Sequence, residues 1–296
     1  METVTVARSA NRSAAGSASR TGSVLLTYLV LIVLGSLFSF PFLWTISSSL
    51  KTAQETQLFP PPLLPEVPQW GNYARVWTTQ PVARWILNSL IVIALSVPGA
   101  VLSGVIVAYS FARFDYPGRN ILFMMLLSTL MLPFEVTLIP QYLLFYKLGW
   151  IDTFLPLTVP AWFGSSAFTI FLLRQFFMTI PRDLDDAARV DGANSLQILW
   201  NIIVPLSRPA LATVLILQFL SHWNDFLGPF IYLNNKSLFT MSLGLRYFQT
   251  VPDQLGESKD NLLMVATIIM TLPAIALFFA AQRYFVRGIV MTGLKM

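Results

Sequence analysis

Four stretches of this chain, Ser23–Leu50, Trp85–Ala112, Thr153–Leu173 and Asn261–Gln282, contain no charged residue. Each can cross the roughly 30 Å of hydrocarbon in a bilayer, which takes about 20 apolar residues as a helix. Two more stretches of similar length carry one acid apiece: Asn120–Tyr146 contains Glu135, and Pro209–Asn235 contains Asp225. A backbone in lipid must satisfy its own hydrogen bonds, so stretches of this length are helices. The expectation is an all-α membrane protein with six spans. Composition agrees: 55% of the 296 residues are hydrophobic and 11% charged, against about 25% charged in soluble domains. Mean hydropathy is +0.65. The chain has no Cys and one His, His222, which excludes disulfide frameworks, thiolate metal sites and paired His ligands. No metal, cofactor or catalytic constellation is expected, and no G-x-x-x-x-G-K-[ST] phosphate loop is present.

The net charge of +5 follows membrane topology rather than a nucleic-acid partner. Of the 19 Lys and Arg residues, 12 fall in the N-terminal tail, the loops after spans two and four, and the C-terminus, leaving 7 on the other side. The positive-inside rule therefore puts both termini in the cytoplasm. Residues 1–22, rich in Ser, Ala and Arg, are expected to be a disordered cytoplasmic tail. The apolar run that follows is too long for a signal-peptide core and is read as a retained first span, 23–50. An extracytoplasmic loop, 51–84, leads to a five-helix transmembrane domain, 85–285, and a cytoplasmic tail, 286–296. In span two, Ser96, Ala100, Gly104, Ala108 and Ala112 recur every fourth residue, a small-residue stripe that lets helix backbones approach closely. Prolines at 41, 98, 133, 140, 156, 160 and 273 mark expected kinks.

The connection between spans four and five, 181–205, is longer than the other cytoplasmic links and reads as two short helices. Pro181 suits a first helical turn, and Asp183, Asp185 and Asp186 suit a helix N-terminus. Gly192 stands where a left-handed residue ends the first helix. Asn194 or Ser195 can cap a second one running to Pro205. The run Asp186-Ala187-Ala188-x-x-Asp191-Gly192-Ala193, followed after eight residues by Ile202-x-Val204-Pro205, resembles the EAA loop of binding-protein-dependent ABC importers. Asp186 replaces the usual Glu and Val204 the usual Leu. Asn72-Tyr-Ala-Arg-Val-Trp77, Ala108-Tyr-Ser-Phe-Ala-Arg-Phe114, Trp223-Asn-Asp-Phe226 and Gln282-Arg-Tyr-Phe-Val-Arg-Gly288 are similar to the second permease of carbohydrate importers of the maltose-transporter type.

The resemblance implies a type I ABC importer permease fold in a bacterial or archaeal cytoplasmic membrane. It also implies a second homologous permease subunit, an ABC ATPase dimer that supplies ATP hydrolysis, and an extracytoplasmic solute-binding protein. Ala187 and Ala188 are then small enough for a helix to seat in a groove of the ATPase, and Gly192 permits the turn presenting it. Asp186 and Asp191 either pair across that interface or cap the loop internally. Glu135 and Asp225 are candidates for the translocation path, since ionisable residues within spans are functional by default. As straight helices they lie 15 and 16 residues from the inner ends of their spans, roughly 22 and 24 Å along, near an outer gate. The competing reading places each at the headgroup interface or against a kinked neighbour. An importer for a non-sugar solute, and an ion-coupled secondary transporter, are the alternative functions.

Overall fold

The computed structural model describes residues 3–164, 166–250 and 259–290. It is helical, with no strand among the described residues. Helix α1 (Thr3–Ser49) runs back through the stretch expected to be a disordered tail; its Ala- and Arg-rich sequence has no proline before Pro41 to stop a helix. Its apolar portion, Val24–Ser49, is one candidate span, and packing begins only in its last turns, where Ser47, Ser48 and Ser49 are buried. Two short helices, α2 (Ala53–Gln57) and α3 (Asn72–Thr79), fold the loop beyond it. Thr52 and Glu55 form a capping box at α2, and Asn72 donates to the carbonyls of Ser49 and Lys51.

Helix α4 (Val82–Arg113) is the centre of the bundle. Its expected stripe is buried from Ser96 to Ala112 and faces the fourth span, which is irregular. Short α7 (Leu155–Thr158) and a 3-10 turn (Val159–Phe163) lead through Gly164 at φ +70° into α8 (Ala167–Thr179). Pro156 and Pro160 each begin one of the short turns, so they segment this span rather than kink one helix. A methyl group on Gly104 would lie 2.7 Å from Thr169 Cγ2 of α8, which explains why the stripe needs its smallest member there.

Two expected spans are sharply bent. Helix α5 (Arg119–Ser128) and the turn to Met131 meet α6 (Phe134–Lys147) at 98°. Leu132 is extended before Pro133, as the ring of a following proline demands. In the connection after span four, α9 (Asp183–Val190) precedes α10 (Ser195–Ile198), a π-helical turn (Leu199–Ile203) and α11 (Val204–Leu206). Beyond Ser207, α12 (Arg208–Asn224) departs at 81°. Short α13 (Leu227–Tyr232), α14 (Met241–Thr250) and the long α15 (Asp260–Val290) complete the chain. Four helical stretches pass as single spans, and the count reaches the expected six when each bent pair is one span. One core cluster gathers Ala108, Leu173, Phe177, Ile198, Leu199, Ile203 and Val214 at the end bearing 181–205. A second joins Val76, Trp85, Met241, Phe248 and Val265.

Candidate functional site

Residues 181–205 form the expected short helices, except that Pro181 stands before the first helix and not in its first turn. Arg182 precedes the first turn of α9, and Gly192 ends the helix at φ +83°, a conformation costing an L-residue with a side chain about 1–2 kcal/mol. Asn194 caps α10, accepting from Gln197 N at 2.9 Å, while its own N–H donates to Gln197 Oε1 at 2.8 Å. The segment has two sides. Ile198, Leu199 and Ile203 are buried in the core, whereas Asp186, Ala187, Asp191 and Gly192 are exposed and Ala188 and Ala193 half-buried. Val190, 87% exposed, and Leu196 extend the exposed side with apolar surface. Asp186 makes an exposed ion pair with Arg189 of its own helix, 3.5 Å.

Asp185 is the residue that residue-type reasoning missed. Its position beside Asp183 and Asp186 suggests N-terminal charge, but it turns inward and is buried. Arg113 Nε, in the last turn of α4, lies 3.0 Å from Asp185 Oδ2. Arg113 Nη2 donates to the Ile180 carbonyl at 3.0 Å. Burial pushes the Asp185 carboxyl up, partly offset by the Arg113 charge. Asp185 Oδ1 has no hydrogen-bond partner among the described residues. The sequence signal was an Arg closing a long apolar helix, which needs an anion if it is buried. The exposed segment is thus tied to α4 as well as to α12.

The second location is a cavity of about 880 Å³ between α6, the Pro156–Phe163 turns, the end of α12 and α13. Asp225 lines it. It ends α12, and Oδ1 accepts from Gly228 N at 3.1 Å. Its carbonyl accepts the Ser242 hydroxyl of α14. A side chain at Gly228 would collide with Asp225 Oδ2, at 2.6 Å. His222 lines the same cavity, as do Gln141, Ser166, Gln218, Ser221 and Tyr232. Gln218 Nε2 donates to Ser166 Oγ and Thr169 Oγ1 at 3.0 and 2.8 Å. Single polar residues scattered over three spans gave no sign that they converge.

Glu135 does not join Asp225. It is exposed in the first turn of α6 and does not line the cavity, although Phe134 beside it does. The 98° bend at Pro133 removes the straight helix on which the matched depth rested. No group of three or more potential metal ligands occurs among the described residues.

Residues 79–291 match the family of binding-protein-dependent transport system inner membrane components. The chain belongs to this family. It is 32% identical over 279 residues to the sn-glycerol-3-phosphate transport system permease protein UgpE of Yersinia enterocolitica, covering 92% of this chain and 98% of that one. It is equally 32% identical over 270 residues to the arabinooligosaccharides transport system permease protein AraQ of Bacillus subtilis, covering 90% and 94%. In fold it is similar to a chain of a bacterial ABC transporter involved in the import of the acidic polysaccharide alginate. That similarity has a TM-score of 0.79 at 24% identity and covers 90% of this chain and 98% of that one. This likeness shows the ABC importer permease fold, and the chain is a multi-pass membrane component of a binding-protein-dependent transport system.

Proposed function

We propose that the chain is one of two homologous permease subunits of an ATP-driven importer for a carbohydrate or related polyol, in a bacterial or archaeal cytoplasmic membrane. The observation that carries this reading is the two-sided segment 181–205. One side is anchored in the core through Ile198, Leu199 and Ile203, and the other presents Asp186, Ala187, Ala188 and the Asp191-Gly192-Ala193 turn. A separate ATPase seated on that turn moves α12 and α4 together, because both are fixed to it. Nucleotide binding by the ATPase dimer then shifts the population between inward and outward access. An extracytoplasmic binding protein delivers solute at the opposite end. The AraQ and UgpE names, an oligosaccharide and a glycerol phosphate, share polyhydroxylated solutes, which supports that class here.

Asp225, in the cavity, is the stronger candidate for the translocation path. Glu135 faces away from this chain's core and acts there only if the second permease completes its surroundings. Mild-detergent purification of the tagged chain from its native membrane tests the assembly. A second permease and an ATPase are expected to co-purify, with the ATPase lost on Gly192→Val. Recovery of the chain alone, still transporting, overturns the proposal. For Glu135, uptake and its pH dependence unchanged in Glu135→Gln removes it from the path.

A further inference from the structure

The cavity beside Asp225 is walled by aromatic rings, including Phe145, Trp150 and Tyr232, and by uncharged hydrogen-bonding groups. Its volume of about 880 Å³ lies in the range of small-molecule sites. The Tyr232 hydroxyl is buried, with the residue 3% exposed, and has no hydrogen-bond partner among the described residues. A buried hydroxyl lacking a protein partner is completed by water or by a ligand. Gln218 donates both of its described bonds within the protein, leaving its carbonyl oxygen as an acceptor. The exposed rings of Phe134 and Phe163 in the same lining, together with these donors and acceptors, make a surface suited to a polyol.

The charges are one-sided. Asp225 is the acid among the described lining residues, and no Lys or Arg is among them. His222 is the one group there able to become a cation. Arg246 lies in a separate groove with Ser242 and Gln249 and donates to Gln249 Oε1 at 2.7 Å. A phosphate or carboxylate entering this space meets a like charge, and among the described lining residues no fork or ammonium receives it.

We infer that this chain contacts the solute directly in this cavity, and that the cavity admits carbohydrates without acid groups while disfavouring those carrying phosphate or a uronic carboxylate. The inference rests on the carbohydrate-importer reading and narrows it.

The chain's lack of cysteine supplies the test. Ser221→Cys is introduced and the intact importer is reconstituted in nanodiscs, with the complex lacking that change as background. The thiol is treated with methanethiosulfonates bearing a hydroxyethyl, a sulfonate or a trimethylammonium group. All three share the same thiolate, so after scaling to free cysteine their rate ratio reports the potential in the cavity. The sulfonate is expected to react about tenfold or more slower than the hydroxyethyl reagent, the scale of one unit charge several ångströms away. Adding Asp225→Asn should bring the two to within about threefold, since the charge is then gone. Equal rates in the Ser221→Cys complex, or a ratio unmoved by Asp225→Asn, overturn the charge selection. No reaction with any reagent overturns the cavity as a solute route. A complex that co-purifies with its ATPase in either case leaves the importer reading intact.

Discussion

Asp185→Ala isolates what ties the exposed segment to the bundle. The replacement leaves Arg113, whose side chain is 2% exposed, with a buried charge and one remaining bond, to the Ile180 carbonyl. Removing one partner of a buried pair costs about 3–5 kcal/mol. The lower end applies here, because neither Arg113 Nε nor Asp185 Oδ1 makes a well-formed hydrogen bond. About 3 kcal/mol corresponds to roughly a hundredfold more frequent opening. That opening is local, because Ile198, Leu199 and Ile203 hold the second half of the segment independently. Hydrogen exchange in nanodiscs should therefore show amides of α9 losing about a hundredfold protection, with α10 and α12 little changed. The double variant Arg113→Met, Asp185→Leu should recover most of the loss. Burial outweighs the Arg113 attraction in setting the Asp185 carboxyl, and such pairs are often replaced by apolar residues without cost. Protection in Asp185→Ala within about threefold of the parent, under about 1 kcal/mol, refutes the reasoning. So does a double variant no better than the single.

Gly192→Val places a β-branched residue at φ +83° with open space around it. The expected cost is therefore backbone strain of about 1–2 kcal/mol, seen as lost ATPase co-purification with normal membrane insertion. Gly104→Ala drives a methyl to 2.7 Å from Thr169 Cγ2. Thr169 Oγ1 is held by Ser166 and Gln218 and cannot readily swing away, so thermal unfolding in nanodiscs should register about 1–3 kcal/mol of overpacking. In the loop beyond α1, hydrogen bonds from Thr52 N and Glu66 N hold the Glu55 carboxyl below its ordinary range. A depressed carboxylate contributes its stability above the unfolded pKa and loses it as pH falls through the folded one. Protease nicking of residues 58–70 should therefore be flat above about pH 5 and rise on acidification, with the rise blunted in Glu55→Gln. A parent loop cleaved equally at all pH values contradicts this.

Helix existence and the turn at Gly192 are legible in the sequence because each depends on a local rule. Gly192 is required by a left-handed φ, Asn194 by the orphan amides of the next helix, and Ser96 through Ala112 by a period close to the helical turn. What stayed hidden depends on direction after a break. Residues 120–146 count as one span by composition, yet two extended residues, Leu132 and Pro133, turn the chain by 98°, so a depth reckoned along one straight helix does not carry past that point. Glu135 lies just past that bend, exposed in the first turn of α6, whereas Asp225 closes the single helix α12. The same breaks build the cavity. At Pro133 and at Pro156–Phe163 helices stop within the apolar stretches, and near Asp225 the chain turns into α13, whose first amides include one that the Asp225 carboxylate receives. Irregular backbone within a membrane stretch is tolerated only where protein or a water-filled cavity satisfies it. The interrupted spans and the polar groups lining the space between them are therefore one feature. The prolines that made the sequence hardest to place in depth also mark where solute is expected to pass.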